Sequence, residues 1–195
     1  MFRFKKTVSW QASKKNSDCK ADLIQKELMR LGVQNILDIG TNAGAVGRLL
    51  SPNFFVVGID SKLDTRGYEK PFTHIALGEI SFNSLNAQRI PAFDAVLLLS
   101  VHHQWLAELP EKEADLLVKK AISIAKKAAF IEFAALNSKY SRFSKFVDND
   151  EKSILKYAFD YLNRLQTQSV ITYLGKCSES DQEPFRFLFM IEKLL

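Results

Sequence analysis

Asn35-Ile36-Leu37-Asp38-Ile39-Gly40-Thr41-Asn42-Ala43-Gly44-Ala45-Val46-Gly47-Arg48-Leu49-Leu50 is the stretch that decides the fold. Its first five residues read as a buried strand and its last as the start of a helix. Gly40 and Gly44 make a tight turn between them and leave room for a ligand against bare backbone. The free N–H groups of the following helix point toward that space. Asp38 stands near the strand end, where a purely structural strand prefers an apolar residue. The pattern marks a nucleotide-handling corner.

Working outward, apolar and helical stretches alternate. Ser17 to Leu31 predicts a helix on Ala21, Ile24, Leu28 and Leu31, with Gly32 suited to its C′ position. Phe54–Ile59 is an unbroken apolar run closed by Asp60, a strand buried on both faces. Phe72–Leu77 and Phe93–Leu99 predict the third and fourth strands, and Ala128–Phe133 the fifth. Between the last two, Glu111 to Lys127 reads as a helix with acids early and lysines late, Lys126 and Lys127 among them. Ser100 to Pro110 reads as a loop. A helix over Glu151–Leu165 and two strands, Ser169–Leu174 and Phe185–Ile191, close the chain. The expected fold is α/β and Rossmann-like, a mostly parallel sheet with helices on both faces and an antiparallel addition at one edge.

The chain has 195 residues, 47% hydrophobic and 25% charged, which suits one domain with a full core. The expected organisation is a basic N-terminal arm over 1–16 and a single domain over 17–195. No apolar run approaches the ~20 residues that span a bilayer. The start, Met1-Phe2-Arg3-Phe4-Lys5-Lys6, lacks the apolar segment of a signal peptide. Cys19 and Cys177 match no metal spacing and no disulfide framework, so a reducing cytoplasm is expected. The net charge of +5 gathers in the arm and in Lys139, Arg142 and Lys145. It fits an anionic partner, nucleic acid included, or a solvated surface.

In an open sheet of this kind, ligands sit beyond the carboxyl ends of the strands. Strand one offers Asp38, Gly40, Asn42 and Gly44 there, and strand two offers Asp60. Strand three offers Gly78 and Glu79, strand four Ser100, His102 and His103, and strand five Glu132 with Tyr140 beyond it. Asp60 can accept two strong hydrogen bonds from a ribose diol. A pyrophosphate wants glycine at position 42 and no carboxylate at position 38. A cationic cofactor suits Asp38 better, which counts against a nicotinamide oxidoreductase.

Asp38-Ile39-Gly40-Thr41-Asn42-Ala43-Gly44 resembles motif I of the class I S-adenosylmethionine-dependent methyltransferases. Val57-Gly58-Ile59-Asp60 resembles the family's second motif. Phe93-Asp94-Ala95-Val96-Leu97-Leu98-Leu99-Ser100-Val101-His102-His103 resembles its strand-four motif. The three stand in order and at proper spacing across roughly Asn35 to Phe133. The resemblance implies a seven-stranded sheet with only the last strand antiparallel, and S-adenosylmethionine as cofactor. It implies that Asp38, Gly40, Asn42 and Gly44 hold the methionine part. It gives Asp60 the ribose, Gly78 and Glu79 the adenine, and Ser100 and Val101 the space near the methyl group. The short segment Ser61–Pro71 departs from the family's usual length.

A positioned base helps methyl transfer to a hydroxyl, and His102 and His103 are the candidates. Trp105 reads as a substrate wall or as core, and Glu132 as a pocket group or a partner of backbone polar groups. The strand-four region lacks the Pro-Pro-aromatic pattern of amino-group methylation, which favours oxygen on a small or anionic acceptor. Tyr140 and Arg142 would contact such an acceptor. An RNA terminal phosphate or tRNA acceptor, and a non-catalytic S-adenosylmethionine-binding protein, are the rival expectations.

Overall fold

The computed structural model describes residues 14–60, 73–76, 85, 90–134, 150–165, 168–178 and 185–194. Most of the expected arm, with Gly78, Glu79, Tyr140 and Arg142, lies outside them. Helix α1 spans Lys14–Arg30 and is followed by β1 (Asn35–Ile39), α2 (Ala45–Leu50), β2 (Phe55–Asp60) and β3 (Thr73–Ala76). Next come β4 (Phe93–Leu98), α3 (His102–Glu108), α4 (Glu111–Ile124) and β5 (Ala125–Ala134). Helix α5 (Glu151–Leu165), β6 (Ser169–Cys177) and β7 (Arg186–Lys193) complete the order.

The strands form one seven-stranded sheet in the order β3-β2-β1-β4-β5-β7-β6. Strands β1 to β5 pair in parallel. Strand β7 is antiparallel to both β5 and β6, so it alone runs against the rest. Strand order reverses between β1 and β4, which opens a crevice at their carboxyl ends.

Period-two alternation sends successive side chains to opposite faces. Leu37, Ile39, Val96, Leu98, Ile131 and Phe133 join a core with α3, α4 and α5. Ile36, Val56, Ala95, Leu97, Phe130 and Met190 face the other way, against Ala21, Ile24 and Leu28 of α1 and Val46 and Leu50 of α2. Truncating a fully buried Ile24 or Leu28 to alanine would cost about 2–5 kcal/mol.

Helix α1 ends as its glycine predicts. Gly32 has φ 58°, its N–H bonds the Met29 carbonyl at 3.1 Å, and the Val33 N–H bonds the Leu28 carbonyl at 3.0 Å. This is a Schellman turn. Its start differs from the expectation: α1 begins at Lys14, ahead of Ser17, so residues 14–16 belong to the helix and not to an arm.

Three further expectations are corrected. The Ser100–Pro110 loop holds helix α3, because the Gln104 and Trp105 N–H groups both reach the Val101 carbonyl and Trp105 turns into the core. Helix α4 stops at Ile124, and Lys126 and Lys127 belong to β5. Pairing of this strand with β4 from Ala125 and with β7 from Ala128 overrides helical propensity, and the two lysines fall in the register irregularity between them. Lys127 serves α1 instead, donating to the Leu31 and Gly32 carbonyls at 3.0 and 2.6 Å. Finally, Cys19 of α1 and Cys177 of β6 form a disulfide, with Cα atoms 5.9 Å apart and 158 residues between them in sequence. Sequence spacing carries no sign of it, because only the packing of α1 against the edge strand brings the two together.

Candidate functional site

The turn after β1 is built on left-handed backbone. Gly40 and Gly44 both have φ 72° and Asn42 has φ 51°. Glycine takes this conformation without cost, and asparagine is among the few other residues that do. A Cβ at Gly40 would run into Cγ2 of Val101. The Gly40 and Thr41 N–H groups both bond the Ile59 carbonyl at the end of β2, at 2.8 and 3.2 Å. The turn is thereby fixed to the neighbouring strand. Helix α2 after it has only six residues, so little dipole stands behind the turn.

Asp38 is 4% exposed and accepts a hydrogen bond from Thr41 Oγ1 at 2.7 Å. Burial, helped by the nearby charge of Asp60, raises its pKa to about 6 against the opposing effects of Thr41 and Lys20. Asp60 closes β2, and its Oδ2 accepts the Asn42 N–H at 2.7 Å. Its carboxylate thus ties the glycine turn to the end of β2. Ser100, just past β4, is also left-handed, with φ 61°. Strain of this kind persists only where surrounding structure imposes it, and it gathers at functional sites. Ser100 Oγ donates to Glu132 Oε1 at 2.7 Å.

Glu132 is completely buried on β5. Its other oxygen, Oε2, lies 2.5 Å from Lys20 Nζ, and Arg186 Nε is 3.5 Å from Oε1. Burial pushes the carboxyl pKa up, but the charges of Lys20 and Arg186 and the bonds from Lys20 and Ser100 outweigh it, and the group stays ionised. Lys20, Asp38, Gly40, Thr41, Asn42, Ala45, Leu99 and Ser100 are among the residues lining one cavity at the β1/β4 crevice. A carboxylate and an ammonium therefore face the same space.

Neither candidate base is among the described residues that line that cavity. His102 is buried between Phe133 and Tyr161, with ring centroids 4.7 Å from each, on the α5 side of the sheet. His103 is buried beside the Glu132 and Arg186 charges. Burial pulls both imidazoles down to a pKa of about 3. Trp105 is 7% exposed within the same core and is not among the described residues that line the cavity. Residues 102–108, expected as a loop, fold as a helix whose inner face these three supply.

Lys20 and Thr41 are the site residues that sequence reading missed. The available signal for Lys20 is its place in the series Asn16, Lys20, Ile24, Leu28, a lysine four residues ahead of a buried stripe. Thr41 carries no such signal, since its bond to Asp38 depends on the turn conformation.

No protein-family model and no curated protein matches the sequence. Solved structures do match the fold. Magnesium protoporphyrin IX methyltransferase (ChlM) from Synechocystis PCC 6803, with bound SAH, aligns with a TM-score of 0.59 at 16% identity. That alignment covers 98% of this chain and 90% of that one. The bifunctional kinase-methyltransferase WbdD aligns with a TM-score of 0.62 at 18% identity over 89% of this chain. The chain spans only 39% of WbdD. A SAM-dependent methyltransferase from Archaeoglobus fulgidus aligns with a TM-score of 0.53 at 19% identity, covering 89% and 94% of the two chains. With its strand order, its single reversed strand and its glycine turn, the chain has the fold of the class I S-adenosylmethionine-dependent methyltransferases.

Proposed function

We propose that the chain binds S-adenosylmethionine and transfers its methyl group to an oxygen of a small or anionic acceptor. The observation that carries the cofactor reading is the joint placement of Asp38, the Gly40 turn and Asp60 on the ends of two adjacent strands. The buried Asp38 carboxylate faces a cavity and suits a cation. A pyrophosphate would meet that charge instead, and Asn42 stands at the position where it needs glycine. Asp60, at the β2 end, is the ribose partner in this reading, as Gly40, Asn42 and Gly44 are the partners of the methionine part. Gly78 and Glu79 remain its proposed adenine neighbours.

Bound S-adenosylmethionine supplies a methyl group already activated by its sulfonium. The protein's part is then to hold, align and exclude water. Asp38 holds the amino group, and the Gly40 backbone allows close approach. Ser100 lines the cavity edge with its proton committed to Glu132. Among the described cavity residues the titratable groups are Lys20 and Asp38, and neither is placed as a base for a hydroxyl. An acceptor oxygen that is already anionic, a carboxylate or a phosphate, needs none. The net charge of +5 and the Lys139-Tyr140-Ser141-Arg142 stretch support the same choice, with Tyr140 and Arg142 as proposed acceptor contacts.

No described helix is long and apolar enough to cross a membrane. Titration calorimetry with S-adenosylmethionine, S-adenosylhomocysteine and NAD tests the cofactor. Binding of the first two and not the third is expected, and failure of the folded protein to bind either removes the reading. A methyl-transfer screen over carboxylate, phosphate and RNA acceptors tests the rest. Cofactor binding with no transfer to any of them would favour a binding protein.

A further inference from the structure

Helix α1 is held unequally along its length. Its carboxyl half carries Ile24 and Leu28, both 0% exposed, and Arg30, which pairs with Glu192 of β7 at 2.5 Å. The Schellman turn and the Lys127 ammonium close that end. At the amino end, the first turn holds no acidic residue to meet the helix dipole. Asn16 and Ser17 are buried there, and among the described residues no side-chain polar atom of either has a hydrogen-bond partner. Burial of that kind is costly, and it favours fraying of the end that carries it.

The tie at this end is covalent. Cys19 is bonded to Cys177 at the end of β6. The bond closes a ring. Cys19 precedes Lys20, Lys20 Nζ rests on Glu132, Arg186 Nε stands 3.5 Å from the same carboxylate, and Arg186 is the register partner of Cys177. Each of the two cations that flank Glu132 is therefore next to one half of the disulfide, one along the chain and one across the strand pair. Lys20 also lines the cavity. The state of the two sulfurs is thus joined to the position of a charge in the cavity wall.

We propose that Cys19 and Cys177 are a reversible redox site that sets the cavity for its ligand. As the disulfide they pin the amino end of α1 and hold Lys20 in the wall. As two thiols they release that end, Lys20 loses its fixed place, and the ligand binds more weakly. The reaction partner is a dithiol reductant. Its thiolate attacks Sγ of Cys19, which is partly exposed, whereas Cys177 is 1% exposed. The Sγ–Sγ bond breaks, Cys177 leaves as a thiolate and takes up a proton, and a mixed disulfide forms on Cys19. The second thiol of the reductant then displaces Cys19, which is protonated in turn. The pair has gained two electrons and two protons, and the reductant ends as a disulfide. A disulfide oxidant runs the exchange backwards.

A disulfide that only restricts the unfolded chain leaves the affinity of the folded protein unchanged. The test uses that difference. Calorimetric titration with S-adenosylhomocysteine, a probe that rests on the cofactor reading above, compares the oxidised protein with protein reduced by dithiothreitol, both folded by circular dichroism. Reduction is expected to weaken binding by about 5–50-fold, and reoxidation to restore it. The Cys19→Ser, Cys177→Ser double variant should bind like the reduced protein with or without reductant. Hydrogen exchange supplies a readout that needs no ligand. On reduction the amides of residues 17–20 should exchange about tenfold faster or more, with residues 24–30 held within about twofold. Equal affinity in the two redox states overturns the proposal, as does exchange at residues 17–20 that is unchanged or rises no more than at 24–30. Binding in neither state overturns the cofactor reading instead, and the exchange result then decides the redox site alone.

Discussion

Lys20 of α1 and Glu132 of β5 meet at 2.5 Å beneath the crevice, with 3% and 0% of their side chains exposed. A helix and the middle of the sheet are thus joined by a buried ion pair, with Ser100 and Arg186 as further partners of the carboxylate. Buried pairs contribute little net stability over apolar residues, but removing one partner is severe. Glu132→Gln leaves two buried cations facing a neutral amide. It should cost about 3–5 kcal/mol in denaturant unfolding. A loss below about 1 kcal/mol would mean that water reaches the cluster.

Asp38 yields a pH prediction with a definite sign. Its folded pKa of about 6 is above the ordinary 3.8, so the native state takes up this proton before the unfolded chain does. The ionised group therefore destabilises the fold at neutral pH, by up to about 3 kcal/mol. That cost is relieved as pH falls through 6 toward 4. Asp38→Asn should raise the melting temperature at pH 7.5, and the gain should vanish near pH 4. Cofactor binding moves the other way, falling below pH 6 as the carboxylate protonates. Calorimetric titrations at pH 5 and 7.5 would show this, and pH-independent affinity would separate Asp38 from the ammonium.

Gly40→Ala combines a left-handed φ with a clash against Val101. A loss of about 1–3 kcal/mol is expected, together with cofactor affinity. Adding Val101→Ala should relieve the clash but not the backbone strain. Recovery of part, and not all, of the stability in the double variant is the outcome to look for.

His102 opposes Asp38 in its pH effect. Its folded pKa of about 3 lies below 6.5, so the unfolded chain binds the proton first and stability is lost as pH falls below 6.5. His102→Leu removes a buried Nε2 that has no hydrogen-bond partner among the described residues. Stability at pH 7 should stay within about 1 kcal/mol, and unfolding between pH 6 and 4 should become less steep. Methyl transfer should survive, and its loss in a folded variant would return His102 to the chemistry.

The Cys19–Cys177 disulfide closes a loop of nearly the whole chain. Reduction should lower stability by about 2–4 kcal/mol, read as a drop in melting temperature with dithiothreitol. Cys177→Ser should show the lower value with and without reductant. In a reducing cytoplasm the pair would stand as thiols, and the protein would work at that lower stability.

The alternation of apolar runs, the glycine spacing and the acids at the ends of β1 and β2 were legible along the chain. Each is a local pattern: a strand buried on both faces is continuously apolar, a left-handed turn takes Gly or Asn, and a ligand-facing acid breaks an apolar run. Those patterns settle the sheet, its crevice, and Asp38, Gly40, Asn42 and Asp60 as neighbours in one corner. Tertiary structure decided the rest. His102, His103 and Trp105 stand just past a ligand-facing strand end, yet the helix they form turns them into the core, a direction set by packing against Phe133 and Tyr161. Lys20 and Glu132 are 112 residues apart, and Cys19 and Cys177 158 apart. Contacts at such separations leave no periodic trace in a sequence. They exist only because α1 lies across the sheet, where the desolvated carboxylate of Glu132 draws a lysine to it.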